Sequence, residues 1–396
     1  MPHILETYAL ACGLKQKLPI IQESYYPLDV DKYITLHNSA KVDAKKYDLF
    51  QDVLYLLKPI LEKEGIKIVQ IGAANDDYIS GADVNLCGKC SIRHTAYIIK
   101  NSLLHLGVDS APGHIASIFD KKMVLLFGNA NYPNLVKPYW SSPENLIIMQ
   151  AGVTSKLKPS YSFNEAPKLI DYIQPEKVAE SVCKLLNLPY SFNYQSLYIG
   201  SHYLNRIIEG IPDQVVNIEG LNINSFILRA DILFNEEFIF QQLQQCPCSI
   251  ITNKTLSSKI LDTFAKRINE VVYIIDEMPS VEFVDYCQRL GIRIILMSYL
   301  SQDKLIKYKR YFYEYGTIHS REISKKEDFK EFQNLKDEEI FYRSNKFILS
   351  QGRIYPSISA YRRNLTIEKI GDNIQGIINE PEFWEEFNNF YFLKKI

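Results

Sequence analysis

No stretch of this chain reaches the roughly 18–20 consecutive apolar residues that a bilayer-spanning helix needs. The N-terminal "MPHILETYALACGLKQKLP" has an apolar run but no basic segment before it, so it reads as a helix of the mature protein and not as a secretory signal. Excess charge of one sign is also missing. Lys and Arg number 45 and Asp and Glu 46, a formal net charge of −1. That removes any global electrostatic pull toward nucleic acid or an anionic membrane, so such a contact must come from a local patch. Internal repeats and low-complexity tracts are absent. Cysteine is sparse, seven in 396 residues. With the N-terminus read as a mature helix, these are expected to be free thiols in a cytoplasmic setting rather than a disulfide framework.

Metal-binding patterns are equally thin. Cys87 and Cys90 have the spacing of half a zinc site, and Cys246 and Cys248 imitate another half. A structural zinc site normally takes two chelating pairs on open loops. Here one pair opens a helical pattern and the other runs into the apolar "CSIIT". Asp29 and Asp31 spell a D-x-D, but it precedes a strand instead of ending one, as a solvated turn does. No metal is expected.

What is present is a globular composition, 46% hydrophobic and 23% charged, in a chain long enough for two domains. Tyrosine is common, at 27 residues. The first half alternates short β-rich runs with helical spacing. "YITLHNS" (33–39), "IKIVQIG" (66–72), "LLHLGVD" (103–109) and "KKMVLLFG" (121–128) read as strands. Residues 47–65, 91–102 and 175–188, and a segment starting near Pro112, read as helices. Buried strands separated by helices imply a parallel sheet covered on both faces. The pattern breaks near 187–195 and restarts with strand candidates at 196–200, 214–220, 225–231, 248–253, 270–276 and 292–298. A charged, aromatic segment follows, and 380–396 reads as a terminal helix. The expected architecture is α/β: two Rossmann-like doubly wound domains, 1–190 and 195–330, then a basic-aromatic segment and C-terminal helix over 331–396.

The densest cluster of chemistry is "GVDSAPGHIAS", residues 107–117. Asp109 and Ser110 fall at the tip of a strand, Pro112 suits the first turn of a helix, and Gly113 would let a ligand approach the backbone. Amides near 110–114 would then offer hydrogen bonds and partial positive charge to a phosphate. The plainer alternative is that Asp109 or Ser110 only caps the helix.

The stretch Asp109-Ser110-Ala111-Pro112-Gly113-His114-Ile115-Ala116 resembles the D-S-G-P-x-H-L/I-A signature of glycosyltransferase family 9, the heptosyltransferase-like enzymes, with Ala in place of the usual Gly. "LCGKCSIRHTAYII" resembles the family's L-x-G-x-T-S-L-x-E segment, "VLLFGNANYPNLVKPY" its FG-x-T-x-P loop, and "ITLHNSAKVDAKKY" its S-x-x-K-x-W turn. The match covers roughly 1–185. It implies a GT-B enzyme that uses a nucleotide-diphosphate sugar with no cofactor. The leaving charge would be met by amides, hydroxyls and a lysine through electrostatic preorganisation. By the resemblance, Ser39 with Lys45 or Lys46 would contact phosphate, and Asp76 or Asp77 the ribose. Asp109, Ser110 and the amides of Ala111, Pro112 and Gly113 would bind diphosphate and sugar, with His114 beside them.

The order of parts departs from the family. There the acceptor domain comes first, whereas this chain begins with the donor half, and "HILETYALACGL" (3–14) resembles the joining segment. The implied architecture is a circularly permuted GT-B protein, or a donor domain with an unrelated partner. The family's catalytic acid would fall at 200–202, where no Asp stands. His202 in that loop is one base candidate, and Asp231, Glu219 and Asp276 at predicted strand ends are others, with Asp109 on the donor side. For the acceptor, Arg343, Lys346, Arg353, Arg362 and Arg363 lie among Phe and Tyr. They would suit either the backbone of modified, hydroxymethylated DNA, as in a phage-type enzyme working in host cytoplasm, or an anionic lipid-linked glycan. A solvated face strapping the domains is the third reading. The expected function is metal-independent glycosyl transfer; the alternatives are a non-catalytic nucleotide- or glycan-binding protein and a nucleotide-sugar epimerase.

Overall fold

The computed structural model describes residues 2–128, 133–151, 162–163, 165, 168–200, 202–203, 205–219, 223–276, 278–320, 324–368, 372–375 and 379–396. The chain divides into two compact units, Met1–Ser196 with Lys395–Ile396, and Leu197–Lys394.

In the first unit the elements run α1 (Ile4–Ala11), β1 (Tyr33–His37), α2 (Phe50–Lys63), β2 (Lys67–Gln70), β3 (Val84–Asn85), α3 (Ile92–Asn101), β4 (His105–Val108), α4 (Ala111–Ile118), β5 (Met123–Phe127), α5 (Pro133–Val136), β6 (Leu146–Gln150) and α6 (Pro175–Leu186). The strands pair in the order β3-β2-β1-β4-β5-β6, every pair parallel. Every residue of β1, β4 and β5 is buried, as a sheet covered on both faces requires. On α2 the buried residues Phe50, Val53, Leu54, Leu57 and Leu61 recur at helical spacing. α2 packs against α6, whose buried residues include Val178, Ala179 and Val182. This sheet is the one expected from the alternation of the first half, and its C-terminal edge carries Asp109.

The second unit contains β7 (Tyr194–Ile199, starting at the end of the first unit), β8 (Ile207–Gly210), β9 (Ser225–Arg229), α7 (Glu236–Gln245), β10 (Cys248–Thr252), α8 (Ser258–Phe264), β11 (Ile268–Ile274), α9 (Val281–Arg289), β12 (Ile294–Ser298), α10 (Gln302–Phe312) and β13 (His319–Ser320). Then come β14 (Ile340–Ser344), β15 (Lys346–Ser350), β16 (Arg353–Tyr355), α11 (Ile358–Arg362), β17 (Ile374–Gln375), α12 (Pro381–Glu385) and β18 (Phe390–Lys395). One sheet has the order β13-β12-β11-β10-β9-β8-β15-β16, parallel except for β16. A second sheet has the order β17-β14-β18-β7, with β14 antiparallel to both β17 and β18.

Three sequence expectations are corrected. The run 214–220 is not a strand among its described residues; β8 supplies that place in the sheet. The side-chain amide of the fully buried Gln242 accepts from Val216 N (2.7 Å) and donates to Val216 O (2.9 Å). It thereby satisfies a backbone that a ladder would otherwise pair. Residues 196–200 do form a strand, but β7 joins the antiparallel sheet. The terminal helix is short: α12 ends at Glu385 and the chain turns into β18. Phe390 and Phe392 enter the cluster of Phe332, Tyr342 and Phe383, while Tyr391 between them packs against Tyr203 in a tilted pair and lies under Arg343. That alternation has the period of a strand.

Candidate active site

The site grows from the edge of the first sheet. β4 ends at Val108, and Asp109 and Ser110 follow before α4 begins. Ser110 is the N-cap residue in extended conformation, φ −156° and ψ 170°, yet its side chain makes no capping bond. Its Oγ instead donates to Val108 O (3.1 Å) and lies 2.9 Å from Nδ1 of His37. Side-chain capping is therefore not what Ser110 does. Asp109 is 8% exposed, and its Oδ2 stands 2.6 Å from Lys45 Nζ. Nε2 of His114 is 4.0 Å from the other carboxylate oxygen. Burial lowers the His114 pKa, with help from His3 and Lys45, against the opposing pull of Asp109, so the ring is neutral at pH 7.

Lys45 reaches Asp109 because its turn is pinned. The short 3-10 turn Asp43–Lys45 lies against Gly128 at the end of β5, where a Cβ would stand 2.3 Å from Ala44 O. Below the turn, Tyr47 Oη donates to Ile173 O (2.6 Å) and Asp48 N to Asp171 Oδ1 (2.9 Å). Lys168, nearly buried, donates to Lys46 O (3.1 Å) and pairs with Asp48 and Asp171. The lysine is thus held in place before any ligand arrives.

Of the other expected donor-side residues, Ser39 lies half-buried two positions past β1. Lys46 turns to Asp43 (3.7 Å) with its side chain half-exposed, so Lys45 is the lysine at the cluster. Asp76 lies 3.7 Å from His37 Nε2 and accepts from Ala73 N at 2.7 Å. Asp77 is exposed, and its carbonyl takes bonds from Asn38 and Gln70. The expectation for the helix amides is narrowed. Pro112 has no N–H, Gly113 N donates to Ser110 O (3.1 Å), and Gly113 is buried with its Cβ position 3.0 Å from a methyl of Leu125. Gly113 therefore serves helix-on-strand packing, and helix geometry leaves the Ser110 and Ala111 amides for an anion. His37 and Gly128 escaped the sequence reading. The signal for His37 was there, a polar residue ending an apolar strand, the same cue that marked Asp109.

The residues expected on the acceptor side all lie in the second unit. His202 is exposed, and its ring nitrogen is 3.5 Å from Asn205 Nδ2. Glu219 is exposed, and Asp276 accepts from Met278 N (2.9 Å). Asp231 is gripped by Arg229 through two bonds of 2.8 Å. Arg229 also meets Glu209 (2.6 Å), and Lys346 sits 2.9 Å from both Glu209 and Glu386. Lys346 is buried, which corrects its expected place on a solvent-facing patch. Arg362 pairs with Glu382 and Arg363 with Glu380, Arg353 donates to Asn364 (3.0 Å), and Arg343 stacks on Tyr391. The basic-aromatic run is therefore largely neutralised by acids distant in sequence. Among the described residues, no group of three or more His, Cys, Asp and Glu could hold a metal ion, and no helix is long and apolar enough to cross a membrane.

Residues 12–164 match the model of glycosyltransferase family 9 (heptosyltransferase). Lipopolysaccharide heptosyltransferase 3 of Escherichia coli K12 is 26% identical over 168 residues, 39% of this chain and 47% of that protein. Among solved structures, E. coli ADP-heptose LPS heptosyltransferase II is 19% identical, with TM-score 0.32 over 46% of this chain and 50% of that one. A family 9 glycosyltransferase from Veillonella parvula is 17% identical, with TM-score 0.31 over the same shares. The chain spans about half the length of the relatives it matches. The stretch similar to glycosyltransferase family 9, residues 12–164, spans the parallel sheet that carries Asp109 and Ser110.

Proposed function

We propose that the protein is a metal-independent glycosyltransferase that takes a nucleotide-diphosphate sugar on its first unit and passes the sugar to a glycan hydroxyl. The observation that carries this reading is the junction of the family 9 signature with a pinned cation: Lys45 meets Asp109 at 2.6 Å, beside Ser110 and the start of α4. In the reaction the acceptor oxygen bonds to the anomeric carbon as that carbon's bond to the diphosphate breaks, and the acceptor proton passes to a base. Lys45, the Ser110 hydroxyl and the Ser110 and Ala111 amides stabilise the departing diphosphate. His114 lies beside the sugar, and Asp76 or Asp77 faces the ribose.

The second parallel unit is the acceptor-side domain, placed after the donor half in permuted order. Asp231, whose carboxylate Arg229 orients, is the leading base candidate in that unit. The acceptor is a lipid-linked glycan, the class that the name of the E. coli K12 lipopolysaccharide heptosyltransferase 3 points to. Pairing of Arg362 and Arg363 with glutamates, and burial of Lys346, speak against a phosphate-backbone track for DNA.

The test is a mass-spectrometric screen of nucleotide sugars against lipid-glycan extracts and hydroxymethylated duplex DNA. Transfer to the glycan extract, abolished by Asp109→Ala, is the expected result. Transfer to DNA overturns the acceptor, and donor binding without turnover on any acceptor leaves a binding protein in place of an enzyme.

A further inference from the structure

β1 lies between β2 and β4 in the sheet, so its last residue stands between the loop after β2 and the tip of β4. That residue is His37, whose side chain is about one-tenth exposed. One ring nitrogen faces Ser110 and the other faces Asp76. The ring therefore bridges the two places assigned above to diphosphate and ribose.

The hydrogen positions depend on what each partner can give. A serine hydroxyl has one hydrogen and two acceptor sites. Ser110 Oγ is 3.1 Å from Val108 O, an acceptor only, and 2.9 Å from His37 Nδ1. With the hydroxyl hydrogen on the carbonyl, Nδ1–H of His37 donates to Oγ; in the other tautomer Oγ would donate to Nδ1 and Nε2–H would face Asp76. Burial lowers the His37 pKa and outweighs the opposing pull of Asp76, so the ring is neutral at pH 7 and carries one N–H. With Nδ1 protonated, Nε2 has a lone pair. Its 3.7 Å separation from Asp76 Oδ2 exceeds a hydrogen bond, and that oxygen already accepts from Ala73 N at 2.7 Å. The other imidazole packed nearby, His105 on β4, is fully buried, and its pKa is lowered to about 3 by burial and then by His37. It is neutral as well and adds no charge.

We propose that His37 is a positioning residue of the donor site: its Nδ1–H holds Ser110 Oγ as an acceptor, which frees the hydroxyl hydrogen to swing from Val108 O to a phosphoryl oxygen. This rests on the reading that Ser110 faces a diphosphate. Without the imidazole N–H, the serine oxygen loses its orienting donor while its hydrogen stays with the carbonyl.

Two measurements on the full chain test it. Long-range proton–nitrogen spectra of the histidine rings, taken without nucleotide at neutral pH, read the tautomer directly, with His37 assigned by its loss in His37→Asn. A neutral ring protonated at Nδ1 is expected; a ring protonated at Nε2, or charged, overturns the proposal. Calorimetric titration with ADP, GDP and UDP then compares variants. Ser110→Ala and His37→Leu are each expected to weaken the tightest nucleotide about tenfold, the scale of one hydrogen bond. His37→Asn keeps an N–H near the position of Nδ1 and recovers binding to within about threefold of wild type. The double variant His37→Leu with Ser110→Ala binds no worse than Ser110→Ala alone. Additive losses, or no recovery in a His37→Asn variant that melts like wild type, overturn the coupling. If wild type binds none of the nucleotides, the donor reading fails, and the spectra still decide the His37–Ser110 bond independently.

Discussion

Lys45 and Asp109 sit 64 positions apart in sequence and 2.6 Å apart in space. The carboxylate is nearly buried and the ammonium about one-fifth exposed. Removing the cation alone, in Lys45→Met, leaves a poorly hydrated charge and should cost about 2 kcal/mol, below the range for fully buried pairs because water still reaches Lys45. Chemical denaturation reads that loss, and nucleotide binding should fall at least about tenfold with the lost charge-assisted contact. His105 supplies a pH prediction. It is fully buried, with its Nδ1 3.0 Å from Thr35 Oγ1, and its folded pKa is about 3 against 6.5. Below pH 6.5 the unfolded chain takes up a proton that the native state refuses, so stability falls as pH drops. Between pH 7 and 5 the loss from this residue should be about 2 kcal/mol. Urea midpoints at the two pH values measure it, and His105→Asn should flatten the dependence.

At the scale of elements, two glycines answer different needs. Gly128 lets the Asp43–Lys45 turn touch the end of β5, and any side chain there would strike the Ala44 carbonyl at 2.3 Å. Backbone must then move, so Gly128→Ala should destabilise by about 1–3 kcal/mol and withdraw Lys45 from Asp109, which a loss of nucleotide affinity would report. Gly113→Ala meets only methyls of Leu125, at 3.0 and 3.2 Å, and a side chain can yield more readily than backbone. It should lose stability but keep more binding than Gly128→Ala. Most elements of the first unit were legible in sequence because buried parallel strands read as short apolar runs and their helices carry a clear apolar stripe. The errors came where polar side chains stand in for a ladder, as Gln242 does for Val216, and where an aromatic tail has apolar residues on both faces, as β18 does.

Across the whole molecule, the largest revision concerns the second unit. Glu209, Arg229, Asp231, Lys346 and Glu386 form one connected ion network, and Glu386 also accepts from Ile358 N at 2.6 Å. Burial alone would raise the Glu209 pKa, but Lys346 and Arg229 outweigh it and hold it at about 2. Its contribution is therefore complete above the ordinary carboxylate range and is lost as pH falls through 4.5 toward 2. Lys346→Met leaves two carboxylates without their shared cation and should cost about 3–5 kcal/mol of stability in this unit. Nucleotide binding, which belongs to the first unit, should be unchanged at a temperature where the variant is folded. A variant as stable as wild type but defective in transfer would return Lys346 to the acceptor site.

By itself the sequence determined the alternation of buried strands and amphipathic helices, the place of Asp109 and Ser110 at a strand tip, and the family resemblance of the donor half. These are local properties, readable because neighbours in sequence carry the pattern. Only the tertiary structure decided which of Lys45 and Lys46 meets Asp109, that Ser110 turns to His37 instead of capping α4, and which basic residues near the C-terminus are paired. Such pairings depend on which strands lie side by side, and residues far apart in the chain carry no periodic signal of their meeting.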